Sequence, residues 1–339
     1  MASGWRLLVQ NGALQEHDPG QVTSFLRSHP EGKHEFFQAI RSSRLSGAFT
    51  VTRTADRGAR LLLWERHLAR LAQSLRLLRT RTFSPSPSSH SFPELLNPSL
   101  RAGLGEALKR RSEKEEVAVT VHLRHSDERS LDVSVHISSF VPAIVVNTAS
   151  VAVMGPSRPL PLAKSSQWVS ARQVLEQCKP ENTTEVVLSN DGQHLLEGSI
   201  SNFFVVLSSD GRVTVQTAAL ENGVLPGTIR QLVIEICNDT SIPVSETSPS
   251  WDERSSWKEA FVTNSLSLIQ PVRSIKMPVP WNANFDPKQW SQSSWQPLHL
   301  MTNGDVTQML QKEIFERAKN YGYLTSDLLG TASIRKKFI

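Results

Sequence analysis

Cysteine is scarce in this chain: Cys178 and Cys237 are the only two among 339 residues. One bridge cannot staple a chain of that length, and neither thiol has metal-ligand spacing around it. Both read as small core residues of a protein in a reducing compartment, and no metal is expected. Long apolar runs are also missing. None approaches the ~18 residues that a membrane span needs, so no membrane partner is expected. The first 21 residues take on acidic side chains early and contain no extended apolar core, unlike a secretory signal. The cytosol is the default compartment, with organellar import left open. Acidic residues thin out between Arg53 and Arg81, where eight arginines face only Asp56 and Glu65. Despite the net charge of +5, no aromatic-interleaved RNA-binding signature accompanies these arginines. A solvated helix face with one anion-binding arginine is the plainer reading, and no nucleic-acid partner is expected.

What is present is ordinary for a soluble enzyme, with 39% hydrophobic and 20% charged residues. The length exceeds what one hydrophobic core usually spans, which predicts two domains. Phe36 to Ile40 and Leu61 to Leu63 read as strands, and Leu68, Leu71, Leu75 and Leu78 place an apolar stripe on the helix that follows. Ser84 to Ser89, alternating serine and proline, reads as a loop, and a basic helix runs from there to about Arg111. Val117 to Leu123 and Leu131 to Ile137 alternate cleanly and predict a hairpin. A boundary falls near Ser138 to Ser150, giving domains over 1–143 and 144–339. Beyond it, a helix is predicted from Ser165 to Cys178 and strands at 185–188, 203–207, 213–216 and 260–263. Further helices are predicted from Gly227 to Asn238 and from Asp305 to Asn320, the last with Val306, Met309, Leu310 and Ile314 inward. Strands and helices mix in both halves, so the fold class is α/β or α+β in two lobes.

Several residues carry chemistry. Lys164 follows the proline-punctuated stretch Pro156 to Pro161, which cannot be helical. Its neighbours Leu162, Ala163, Ser165 and Ser166 are small or uncharged, which suits an amine held in a cleft. Thirty-three positions later Glu197 opens the string Glu197-Gly198-Ser199-Ile200-Ser201-Asn202-Phe203-Phe204, a small-residue turn running into a strand. Val224-Leu225-Pro226-Gly227-Thr228-Ile229-Arg230 opens a helix whose first N–H groups lack intrahelical partners, a ready phosphate site. His67 stands three residues before Arg70-Leu71, and Ser265 lies in a strand-to-turn segment ending at Pro271-Val272.

Taken together, in this order, these blocks resemble the class IV pyridoxal-phosphate aminotransferases, a family that includes branched-chain and D-amino-acid aminotransferases and 4-amino-4-deoxychorismate lyases. The resemblance implies a two-lobed fold of type IV with pyridoxal 5'-phosphate between the lobes, and a homodimer. It implies that Lys164 forms the cofactor's Schiff base and is the catalytic acid/base. Glu197 would pair with the pyridine nitrogen, and Arg70, Thr228, Ile229 and Ser265 would hold the phosphate. Transamination between an amino acid and a 2-oxo acid is the activity expected.

The family's substrate side is not matched. Its His/Tyr–Gly segment before the first strand reads His29 to Glu35 here, and the only tyrosines are Tyr321 and Tyr323. Gln167 stands where asparagine is frequent. Arg41 and Arg124 are candidates for a substrate carboxylate. The segment Trp281 to Trp295 replaces a glycine-rich stretch and could serve as a lid or dimer contact. A lyase releasing pyruvate from aminodeoxychorismate therefore stays open, favoured by the turn Thr263-Asn264-Ser265-Leu266, as does a non-catalytic cofactor-binding relative.

Overall fold

A computed structural model describes residues 5–15, 47–78, 92–125, 130–142, 148–209, 211–282, 285–300 and 304–330. The strand expected at Phe36 to Ile40 and the loop at Ser84 to Ser89 lie outside these residues. Contacts gather the chain into two compact units, one of Met1–Pro142, Ala163–Ser170 and Lys319–Ile339, the other of Ala143–Leu162 and Ala171–Ala318.

The first unit begins with strands β1 (Arg6–Gln10), β2 (Ala13–Leu14), β3 (Gly47–Ala55) and β4 (Arg60–Leu61), then helices α1 (Trp64–Leu77) and α2 (Phe92–Arg110), then strands β5 (Glu116–His125) and β6 (Leu131–Phe140). The predicted hairpin is β5–β6, an antiparallel pair with Val121 opposite Val135. Its inward residues Val117, Val119, Val121, Leu123, Val135 and Ile137 are fully buried, and they share one core with Leu96, Leu100 and Leu104 of α2. Two expectations shift locally. Of the Leu61 to Leu63 run only Leu61 pairs as a strand, together with Arg60 before it, because Leu63 turns to φ 48° as the N-cap of α1. On α1, Leu71 and Leu75 are buried as expected, but His67, Arg70 and Ser74 are buried beside them, so the inward face carries a polar seam.

In the second unit β7 (Ala149–Met154) precedes helices α3 (Ser166–Ala171), which starts in the first unit, and α4 (Gln173–Cys178). The single helix expected over Ser165 to Cys178 is thus two, divided at Arg172. There follow β8 (Glu185–Leu188), β9 (Asn202–Ser209), β10 (Arg212–Thr217), α5 (Thr228–Asp239), β11 (Val244–Glu246), β12 (Trp257–Asn264), β13 (Leu268–Val279), α6 (Pro287–Gln292), β14 (Ser294–His299) and α7 (Asp305–Asn320). β15 (Tyr323–Leu324) and α8 (Thr325–Leu329) return to the first unit.

The first unit's sheet has the order β15-β4-β3-β5-β6-β1-β2, and the second unit's the order β11-β10-β9-β12-β13-β7-β8 with β14 against β13. In the second sheet β7 is parallel to both β8 and β13. In the central strands β9 and β12 the apolar segments 203–206 and 260–262 are buried on both faces, and the edge strand β8 is buried along its whole length. α7 covers the predicted residues but turns Thr307, Leu310, Ile314 and Ala318 fully inward, leaving Val306 and Met309 half-buried. The tryptophan-punctuated segment is built into this unit: Trp290 is 1% exposed, and its ring lies where a side chain on Gly155 would stand. Among the described residues no helix is long and apolar enough to cross a membrane, and no cluster could hold a metal ion.

Candidate active site

In the first unit Lys164 is strapped to two elements. Its backbone N–H donates to Ser74 Oγ of α1 at 3.0 Å, and its carbonyl accepts from the Phe49 N–H of β3 at 3.0 Å. Ser74 Oγ in turn donates to the Arg70 carbonyl, so the helix turn carrying Arg70 also fixes Lys164. The Lys164 amine lies over the Phe49 ring, 4.8 Å from its centroid. Arg70 Nη2 donates to Thr50 Oγ1 at 3.1 Å and approaches His67 Nδ1 at 3.4 Å, while Thr50 Oγ1 lies 2.7 Å from that same nitrogen. Arginine can only donate, so if Nδ1 accepts from Arg70, the Thr50 hydroxyl donates to it as well and the imidazole proton sits on Nε2. Burial holds the His67 pKa well below its ordinary value, and the positive charges of Arg70 and Lys164 push the same way. His67 is therefore a neutral spacer that orients Arg70 without adding charge.

In the second unit Glu197 is fully buried. Oε1 lies 2.6 Å from Arg158 Nε, and Oε2 accepts from the Leu225 N–H at 3.0 Å and from Asn202 Nδ2 at 3.4 Å. Asn202 also donates to the Leu225 carbonyl at 2.9 Å, which ties the Glu197 turn to the segment that starts α5. That start is a helix N-terminus with Gly227 as cap and no side-chain capping bond, so its first backbone donors point outward. A Cβ on Gly227 would stand 2.0 Å from Asn202 Oδ1, so the two segments pack too closely for any side chain there. Thr228 Oγ1 and Ser265 Oγ lie 3.4 Å apart, two hydroxyls beside those donors.

A sequence profile described as amino-transferase class IV matches residues 47–275. The chain belongs to the class IV aminotransferases. This class IV aminotransferase is accordingly a pyridoxal-phosphate-dependent enzyme. It is similar to a probable branched-chain-amino-acid aminotransferase of Thermotoga maritima, 27% identical over 205 residues, which are 59% of this chain and 69% of that protein. The crystal structure of the branched-chain aminotransferase from Thermoproteus uzoniensis with norvaline aligns over 96% of both chains, with a TM-score of 0.61 at 19% identity. An aminotransferase from Brucella abortus bound to pyridoxal phosphate aligns over 92% of this chain and 99% of its own, with a TM-score of 0.64 at 18% identity. The fold type IV expected from the sequence is therefore the fold found.

Of the six expected site residues, Arg70 and Lys164 come together in the first unit, and Glu197, Thr228, Ile229 and Ser265 in the second. Three partners escaped the sequence reading. Arg158 carries no motif, although a carboxylate destined for burial needs a cation, and Arg158 is the basic residue of the stretch leading to Lys164. Thr50 and Ser74 are single polar residues among apolar neighbours. Arg124, a candidate for a substrate carboxylate, is instead paired with Asp132 at 2.7 Å. Arg41 lies outside the described residues.

Proposed function

We propose that this class IV aminotransferase moves an amino group from an amino acid to a 2-oxo acid, with Lys164 as the amine that carries the cofactor. The observation that supports this most is the setting of Glu197, fully buried and held from both oxygens by Arg158, Leu225 and Asn202. A carboxylate fixed in that way suits a ring nitrogen that must keep a proton. When bound, pyridoxal phosphate supplies the electron sink that accepts the pair left at the amino acid's Cα. Lys164 Nζ takes the Cα proton and returns it, a role that requires a mobile amine on a fixed backbone. The two backbone bonds to Ser74 and Phe49 provide that fixed backbone. The Arg70 guanidinium, presented by Thr50 and His67, suits a phosphate dianion by its planar fork. The Thr228 and Ile229 N–H groups at the start of α5, with the Thr228 and Ser265 hydroxyls, are the other phosphate donors in this reading.

The lyase alternative gains nothing from the structure. In the turn that favoured it, Asn264 Oδ1 accepts from the Leu266 and Ser267 N–H groups at 3.0 and 2.9 Å, so local turn geometry accounts for that asparagine. A homodimer and a cytosolic setting remain part of the proposal. The second is in keeping with two unpaired thiols, Cys178 and Cys237.

The test is the visible absorption of the purified protein beside Lys164→Ala. The wild type should show a cofactor band that borohydride fixes covalently to the chain, and the variant should not. Amino acids added singly should bleach the band where they are donors, and a 2-oxo acid should restore it. A wild type that binds no pyridoxal phosphate even in excess overturns the proposal.

A further inference from the structure

The turn that presents Glu197 rests on a second carboxylate. Glu185 begins β8 and is buried, and its Oε1 accepts from both the Ile200 N–H at 2.8 Å and the Ser201 hydroxyl at 2.9 Å. Gly198 lies against that oxygen: a Cβ there would stand 2.3 Å from Glu185 Oε1 and 2.1 Å from Ser201 Oγ. The backbone around Glu197 is stitched to the same strand, with Leu188 N–H donating to the Glu197 carbonyl at 2.7 Å and Ser199 N–H to the Val186 carbonyl at 2.8 Å. On the helix side, Ser199 Oγ donates to Glu176 Oε1 at 2.7 Å, and Arg172 Nη1 donates to the Ser199 carbonyl at 3.3 Å. Ile200 alone projects outward, 44% exposed. The Gly198–Ser201 turn is thus held by Glu185 on its inner side, alongside the β8 backbone, Glu176 and Arg172.

We propose that Glu185 is a positioning residue for Glu197, setting the direction in which that carboxylate meets a cofactor's ring nitrogen. The inference rests on Glu197 having that role. A single oxygen accepting two donors does this work, so an amide oxygen in its place can do it too, and a methyl group cannot. Burial pushes the Glu185 pKa up to about 7, against the pull of its two donors, with Glu176 raising it and Arg172 lowering it. Lys179, which donates to the Thr184 carbonyl beside Glu185 at 3.2 Å, is bound to Glu176 at 3.0 Å. The wild type therefore holds both protonation states near neutrality, and Glu185→Gln holds neither.

The experiment is titration of the apoprotein with pyridoxal phosphate, followed by quenching of tryptophan fluorescence between pH 5.5 and 8.5. The proteins compared are the wild type, Glu185→Ala, Glu185→Gln and Glu259→Ala, each with its thermal midpoint. Glu259 is an equally buried carboxylate of the same unit, and it accepts from the Val306 and Thr307 N–H groups at the start of α7. Glu185→Ala should bind the cofactor at least ~10-fold more weakly, the scale on which removing a supporting partner acts at metal sites. Glu185→Gln should stay near the wild type but lose any step in affinity near pH 7. Glu259→Ala should lower the thermal midpoint and leave affinity unchanged. Equal affinity of Glu185→Ala and the wild type overturns the inference alone, as does loss of affinity in Glu259→Ala matching its loss of stability. A wild type that binds no cofactor overturns the reading of Glu197 itself, and this inference with it.

Discussion

Arg158 Nε and Glu197 Oε1 stand 2.6 Å apart with 4% and 1% of their side chains exposed, so each charge has given up water for the other. Breaking such a pair from one side leaves a buried charge without a counter-ion, which costs about 3–5 kcal/mol. Arg158→Met should lose that much in urea unfolding of the apoprotein. Removing the second charge as well, in Arg158→Met with Glu197→Gln, should recover part of the loss despite being the larger change. Strict additivity of the two single losses would show that the pair does not couple.

Arg70 Nη2 donates to Thr50 Oγ1 at 3.1 Å and lies 3.4 Å from His67 Nδ1. If it binds phosphate, its removal should weaken pyridoxal phosphate far more than pyridoxal. Arg70→Ala should lose about 1.5–3 kcal/mol for the phosphorylated form, the range for a hydrogen bond to a charged group. Arg70→Lys should recover little of it, because an ammonium lacks the fork that meets Thr50 and a phosphate together. Equal losses for both ligands would place Arg70 elsewhere.

The elements that were legible in the sequence share a property: their residues repeat a pattern. The β5–β6 hairpin alternates over two runs, α7 follows its apolar spacing, and Glu197 sits in an eight-residue string. The misread parts are local breaks that no pattern announces. Leu63 takes a positive φ that no neighbour announces, and Arg172 divides a helix whose apolar pattern runs on unbroken. Arg158, Thr50, Ser74 and Glu185 matter because of what folds against them. Each is one polar residue, and burial, which turns it into a partner, is decided by tertiary packing.

Acid should destabilise the fold through His122. Burial, aided by the Arg124 charge, lowers its pKa to about 4 from an ordinary 6.5. The unfolded chain takes up that proton first, so the contribution is complete above about pH 6.5 and is lost as pH falls toward about 4. The gap is worth on the order of 3 kcal/mol at 1.36 kcal/mol per pH unit. His67, fully buried and lowered further, acts with the same sign. Glu185 acts with the opposite one. Its native form keeps a proton up to about pH 7 that the unfolded chain releases near 4.5, so its contribution falls as pH rises through that window. Urea midpoints measured from pH 4.5 to 8 should flatten on the acid side in His122→Gln and rise on the neutral side in Glu185→Gln. Curves parallel to the wild type would contradict both assignments.

Gly227 is needed for room rather than for conformation. Its φ of −67° is open to any residue, but an added Cβ would meet Asn202 Oδ1 at 2.0 Å and Cγ at 3.2 Å. Asn202 cannot step aside, since it is 4% exposed and its amide is bonded to the Leu225 carbonyl at 2.9 Å. Gly227→Ala should therefore push Asn202 off Glu197 and displace the start of α5, costing about 1–3 kcal/mol as overpacking does. Gly211 is the contrasting case. It needs its φ of 73°, and a Cβ there meets nothing within 4 Å. Gly211→Ala should cost about 1–2 kcal/mol from the left-handed backbone alone. Measured together, the two variants should lose comparable stability, while only Gly227→Ala weakens pyridoxal phosphate binding. Equal cofactor affinity in both would mean that the Asn202–Gly227 contact carries stability and nothing of the site.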